Sequence, residues 1–127
     1  MKAIRIYEPG GPEVLKYEEV PDPVAGPGQA LVKIQYAGVN YGDTGVRRGT
    51  YPGGDQPGVT PGIEGVGLIE AVGDGVTDYK PGQGVAIAGE LGCYAEYHVV
   101  RAERLIPLPD GIEPRLASAA PPELPNM

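Results

Sequence analysis

The chain has 127 residues, the length of one domain, and carries a net charge of −7 with seventeen acidic and ten basic side chains. The basic residues form no run or stripe, which argues against nucleic acid as a partner. No apolar stretch approaches the ~20 residues that cross a bilayer. Met1-Lys2-Ala3-Ile4-Arg5-Ile6-Tyr7 lacks the apolar block and cleavage site of a secretory signal, so a cytoplasmic protein is expected. Cys93 is the sole cysteine, which leaves no intrachain disulfide and no Cys-x-x-Cys site.

Twenty-one glycines and fifteen prolines punctuate short β-branched runs rather than forming one biased block, as in an all-β domain. In chain order, Lys2 to Tyr7 alternates polar and apolar and predicts a half-buried strand, and Leu15 to Val20 predicts a second. Pro21 to Gly28 reads as an extended connection. Ala30 to Val39, with Leu31, Val32, Ile34, Tyr36 and Val39, predicts a strong strand. Asp43 is the expected N-cap of one or two helical turns over Thr44 to Arg48, ended by Gly49. Thr50 to Gly62 reads as loop, Gly65 to Val72 as a strand, Gly73-Asp74-Gly75 as a turn, and Gly84 to Ala88 as a strand. Cys93 to Val100 alternates like another, Leu105 to Pro109 ends the sheet, and Pro114 to Ala120 predicts a helix. The expected fold is mainly β, a partly open barrel with one or two short helices.

Two segments carry the candidate chemistry: Gly38-Val39-Asn40-Tyr41-Gly42-Asp43 and Pro61-Gly62-Ile63-Glu64-Gly65-Val66-Gly67. Read from the residues alone, Asn40 either points its amide into a cleft or bonds its own backbone in a turn. Tyr51 reads as a loop aromatic packed on the barrel. Asp43 and Glu64 read as structural carboxylates, Glu64 being flanked by glycines and apolar residues and in need of a backbone or Arg partner. His98 reads as an ordinary strand histidine. Cys93 has no cationic neighbour in sequence to make a reactive thiolate.

Together these segments, with Gly92-Cys93-Tyr94-Ala95-Glu96-Tyr97, resemble the GroES-like domain of the medium-chain dehydrogenase/reductase superfamily from Met1 to about Ala120. In its zinc enzymes the places of Asn40 and Ile63 hold a Cys and a His that bind the metal. The amide and the branched alkane found here are similar to the quinone oxidoreductase branch, which works without zinc. The resemblance implies catalytic roles for Asn40 and Tyr51, cofactor contacts from Asn40, Tyr41 and Thr44, NADPH as cofactor, and a small quinone or enone as substrate. Relatives often have Phe at Tyr41, which implies packing there, and Tyr at Gly45, whose loss here implies a wider or more polar pocket.

Two departures accompany the resemblance. Lys80-Pro81-Gly82-Gln83-Gly84-Val85 stands where relatives read Gly-Asp-Arg-Val, which implies a weaker turn. The family's nucleotide-binding domain begins with a Gly-rich loop between a strand and a helix. No such loop occurs in these 127 residues, and 121–127 reads as an irregular tail. The expectation is therefore a substrate-side domain, inactive by itself, with a homodimer through the surface that the other domain covers. The alternative is a GroES-like scaffold or oligomerisation module without catalysis.

Overall fold

In the computed structural model, residues 1–109 are described, and the expected helix over Pro114 to Ala120 and the tail at 121–127 lie outside them. The spine is β3 (Gln29–Ala37), where Ala30 and Val32 alternate inward with Lys33 and Gln35 outward. It pairs antiparallel with β4 (Glu64–Val72) on one side and with β6 (Tyr97–Arg101) on the other. β5 (Gly84–Ala88) follows β4, and β7 (Ile106–Pro107) follows β5, giving the order β6-β3-β4-β5-β7. β6 and β7 remain edges, so the sheet curls without closing. Register shifts between Leu31 and Val32 and between Ile34 and Tyr36 supply part of that curl.

The inward residues of this sheet, Ala30, Val32, Ile69, Val85, Ile87 and Val100, make the main core together with Cys93 and Leu105 from the segments beside it. Ala86, on the opposite face of β5, packs with Val66 under Ile106 and Leu108. β4 and β5 are thus covered on both faces, which explains their near-continuous apolar sequence.

A ribbon of β1 (Lys2–Arg5) and β2 (Lys16–Glu19) is the second sheet. Its inner end belongs to a small cluster of Ile6, Val14 and Val46. The predicted strand over Cys93 to Val100 forms only at its end, as β6. Residues 94–96 stitch the ribbon to the main sheet instead: Ile4 N–H donates to the Tyr94 carbonyl at 2.9 Å and Glu96 N–H to the Lys2 carbonyl at 3.0 Å. The Glu96 carbonyl then accepts from Ile34 N–H at 2.9 Å. Three strands' worth of bonding demand, not alternation, sets where β6 begins.

Helix α1 (Gly42–Arg48) ends at Gly49, whose φ of 78° is the left-handed conformation that glycine adopts without strain. The turn over Lys80 to Gln83 forms without an Asp-Arg pair: Gln83 N–H donates to the Lys80 carbonyl at 3.2 Å, and Gly82 N–H reaches Ile69 at 2.8 Å. None of the described helices is long and apolar enough to cross a membrane.

Candidate functional site

β3 runs out at Ala37, where the chain passes the start of β4: Gly38 N–H donates to the Glu64 carbonyl at 3.2 Å. This contact brings the two motif segments side by side. A Cβ at Gly38 would run into the Glu64 side chain, so the glycine leaves room for that carboxylate. Glu64 is 7% exposed, and its Oε2 has no hydrogen-bond partner among the described residues. Among the described residues that oxygen lacks the expected backbone or Arg partner. Arg47, for one, donates to the Gly10 carbonyl at 3.3 Å instead.

Beyond Gly38 the side chains diverge. Val39 and Tyr41 are 85% and 84% exposed, whereas the Nδ2 of Asn40 between them is buried and without a partner among the described residues. The expectation that Tyr41 packs is overturned. The backbone of Asn40 is fully engaged: its N–H donates to Asp43 Oδ2 at 2.9 Å, and its carbonyl accepts Asp43 N–H at 3.0 Å. The bond that the turn reading assigned to the Asn40 side chain is made by Asp43, and the amide stays free.

Asp43 is not an N-cap either. It lies within the first turn of α1, preceded by Tyr41, which gives no side-chain cap. Its carboxylate reaches back three residues to an N–H, the reciprocal half of a capping box, and suits the positive end of the helix. Thr44 Oγ1 donates to the Tyr41 carbonyl at 2.6 Å.

Tyr51 is half-buried beside the Ile6, Val14 and Val46 cluster. Its N–H donates to the Gly45 carbonyl at 3.2 Å, folding the loop back over α1. A Cβ at Gly42 would sit 3.5 Å from Tyr51 Cε2 and 3.4 Å from Ile63 Cδ1. The ring, Ile63 and the turn after Asn40 therefore meet around Gly42, in keeping with the packing reading of Tyr51. At Gly45 a Cβ would find ordinary contacts, 3.4 Å from Thr50 Oγ1 and 3.6 Å from Tyr51 Cβ.

Tyr94 is the residue that sequence reasoning missed. Its hydroxyl donates to Asp43 Oδ2 at 2.6 Å and lies 3.2 Å from the Gly38 carbonyl. Burial first, then the bond to Asp43, pushes the phenol well above the usual tyrosine range. Nothing local announces this, since the partner is 51 positions away in sequence. Cys93 is 1% exposed, and burial, with help from Glu90, Asp43 and Glu64, pushes its thiol up to about 12. It is unreactive there. His98 is held below its ordinary range by burial, with its ring against Gly92. Among the described residues no group of three His, Cys, Asp or Glu side chains converges to hold a metal ion.

Residues 26–110 match the alcohol dehydrogenase GroES-like domain. The chain belongs to this family. As a GroES-like domain it is 44% identical over 121 residues to a quinone oxidoreductase of Pseudomonas aeruginosa, covering 93% of this chain and 36% of the relative. A quinone oxidoreductase structure from Pseudomonas syringae pv. tomato superposes with a TM-score of 0.86 at 39% identity, over 93% of this domain and 36% of that chain. A structure of the Escherichia coli quinone oxidoreductase complexed with NADPH gives 0.87 at 31% identity, over 94% and 37%. The GroES-like domain thus spans little more than a third of the length of these relatives.

Proposed function

We propose that residues 1–120 form the substrate-side domain of a zinc-independent NADPH:quinone (or enone) oxidoreductase. The observation that carries this reading is the Asn40 amide, a buried donor with no partner among the described residues, at a place where its backbone is already fixed. The likeness to quinone oxidoreductases, one of them complexed with NADPH, supports the same choice of chemistry.

A quinone or enone gains negative charge on oxygen as it is reduced. An amide N–H held in advance at that oxygen stabilises the developing charge without reorganising. Asn40 would serve in this way, on the substrate carbonyl or on the carboxamide of the nicotinamide. Tyr51 and Ile63, which meet beside Gly42, would offer a planar acceptor an aromatic and an apolar surface. Tyr41, exposed, and Thr44 would hold the nicotinamide side, while Asp43 and Glu64 keep the turn in place. NADPH supplies the hydride when bound. Donor and acceptor must be held near contact for transfer, which a domain without the nucleotide site cannot do alone.

The test follows NADPH oxidation with 1,4-benzoquinone. The 127-residue chain is compared with a chimera in which it replaces the matching segment of the Pseudomonas aeruginosa relative. The chimera is expected to turn over and the chain alone to be at least about 1,000-fold slower. Asn40→Ala in the chimera is expected to lower kcat about 100-fold. Full-rate turnover by the chain alone, or by the Asn40→Ala chimera, would refute the reading.

A further inference from the structure

We propose that Tyr94 is a positioning residue: through Asp43 it locks the Asn40 peptide so that the side-chain amide is presented in one direction. The inference rests on the role just given to Asn40, and it assigns that role a support 54 positions further along the chain, as the numbering shows.

Two donors converge on one oxygen. Asp43 Oδ2 accepts Tyr94 Oη–H at 2.6 Å and Asn40 N–H at 2.9 Å. An O–H has one proton to give, and the short contact to a charged acceptor takes it in preference to the Gly38 carbonyl at 3.2 Å. The phenol is itself firmly held. Tyr94 N–H donates to the Pro61 carbonyl at 3.0 Å, and Cys93 N–H to the Gly62 carbonyl at 3.1 Å. Its ring covers Gly62 so closely that a Cβ there would fall 2.7 Å from Tyr94 Cδ1. Gly62 adopts a φ of 98°, so that approach requires glycine twice over.

The arrangement ties both motif segments to one place: 61–62 through the backbone N–H groups of Tyr94 and Cys93, 38–43 through the Tyr94 hydroxyl. A carboxylate accepting only the Asn40 N–H can swing about its own side-chain torsions, and Asp43 Oδ1 has no partner among the described residues to stop it. With the phenol in place, Oδ2 is fixed from a second direction. The Asn40 peptide inherits that fixity, and its unused Nδ2 cannot turn away with the backbone.

Tyr94→Phe removes one oxygen and little else. In the 127-residue chain, amide hydrogen exchange at Asn40 is expected to quicken at least about tenfold, while Val32 and Ile69 in the sheet keep their rates. An unchanged Asn40 rate, or equal quickening in the sheet, overturns the inference. In the active chimera, Tyr94→Phe is expected to lower kcat roughly tenfold with KM moved less than about twofold, as for lost orientation rather than lost binding. Combined with Asn40→Ala it should add nothing further. A normal kcat for Tyr94→Phe beside a damaged Asn40→Ala overturns the positioning role and leaves the proposed function standing. A normal kcat for Asn40→Ala overturns the catalytic reading itself, and with it the directional role of Tyr94.

Discussion

A thiol sealed in a core leaves a thermodynamic signature in alkali. Cys93 ionises near 9.0 when unfolded and at about 12 when folded, because burial disfavours the thiolate. The folded state then holds its proton more tightly. Its contribution to stability is complete below about pH 9 and is lost as pH rises through the folded value. Tyr94, also raised in the folded state, adds loss of the same sign beginning above its ordinary 10.0. The urea midpoint should therefore fall from pH 9 upward, and Cys93→Ala should flatten the first part of that fall, measured by circular dichroism at a series of pH values. At this same scale Asn40 becomes a candidate through the family resemblance, since its residue type alone suits a turn bond equally. The sequence misplaces Asp43, since its type suits an N-cap while its carboxylate serves the residue three before it. It cannot show Tyr94 with Asp43, nor that Glu64 Oε2 has no partner among the described residues, because those facts depend on segments that meet only in the folded chain.

Among the elements, the β3–β4 pairing is the most extensive, and Gly67 lies at its tightest point. A Cβ on Gly67 would strike the Lys33 carbonyl of the facing strand. Gly67→Ala is expected to cost roughly 2 kcal/mol or more by forcing the two backbones apart, read as a lower urea midpoint with unchanged slope. Five strands and the helix lie where alternation, apolar runs and glycine placement put them. The strand before β6 is over-extended by the same reasoning: Cys93 to Glu96 alternates, but its N–H groups go to Pro61, Gly62 and Lys2 rather than to one neighbour. The 3-10 turns at Pro12–Val14 and Ala102–Arg104 carry no periodic pattern at three residues each.

Across the whole molecule, stability is unevenly spread. The five-stranded sheet encloses the main core, whereas the β1–β2 ribbon rests on a smaller cluster and on bridges at Ala3–Ala95 and Ile6–Val59. The Met1 ammonium, bound to the Val20 carbonyl at 2.8 Å and to Asp22 at 2.6 Å, fastens the ribbon's outer end. Native-state hydrogen exchange should show the ribbon amides opening at least about tenfold more readily than those of β3 and β4, and equal rates would mean the two sheets unfold as one. The spine itself sets a different kind of limit. β3 is gripped on both flanks, by β4 and β6, and the site hangs from its end like a hand from a braced forearm. Sliding that strand by one place would invert every side chain along it, so the pairing on both flanks also fixes where Asn40 begins its turn. The stretch from 41 to 51 is free of the ladder, and there an evolving lineage can reshape what the hand grasps without moving the arm.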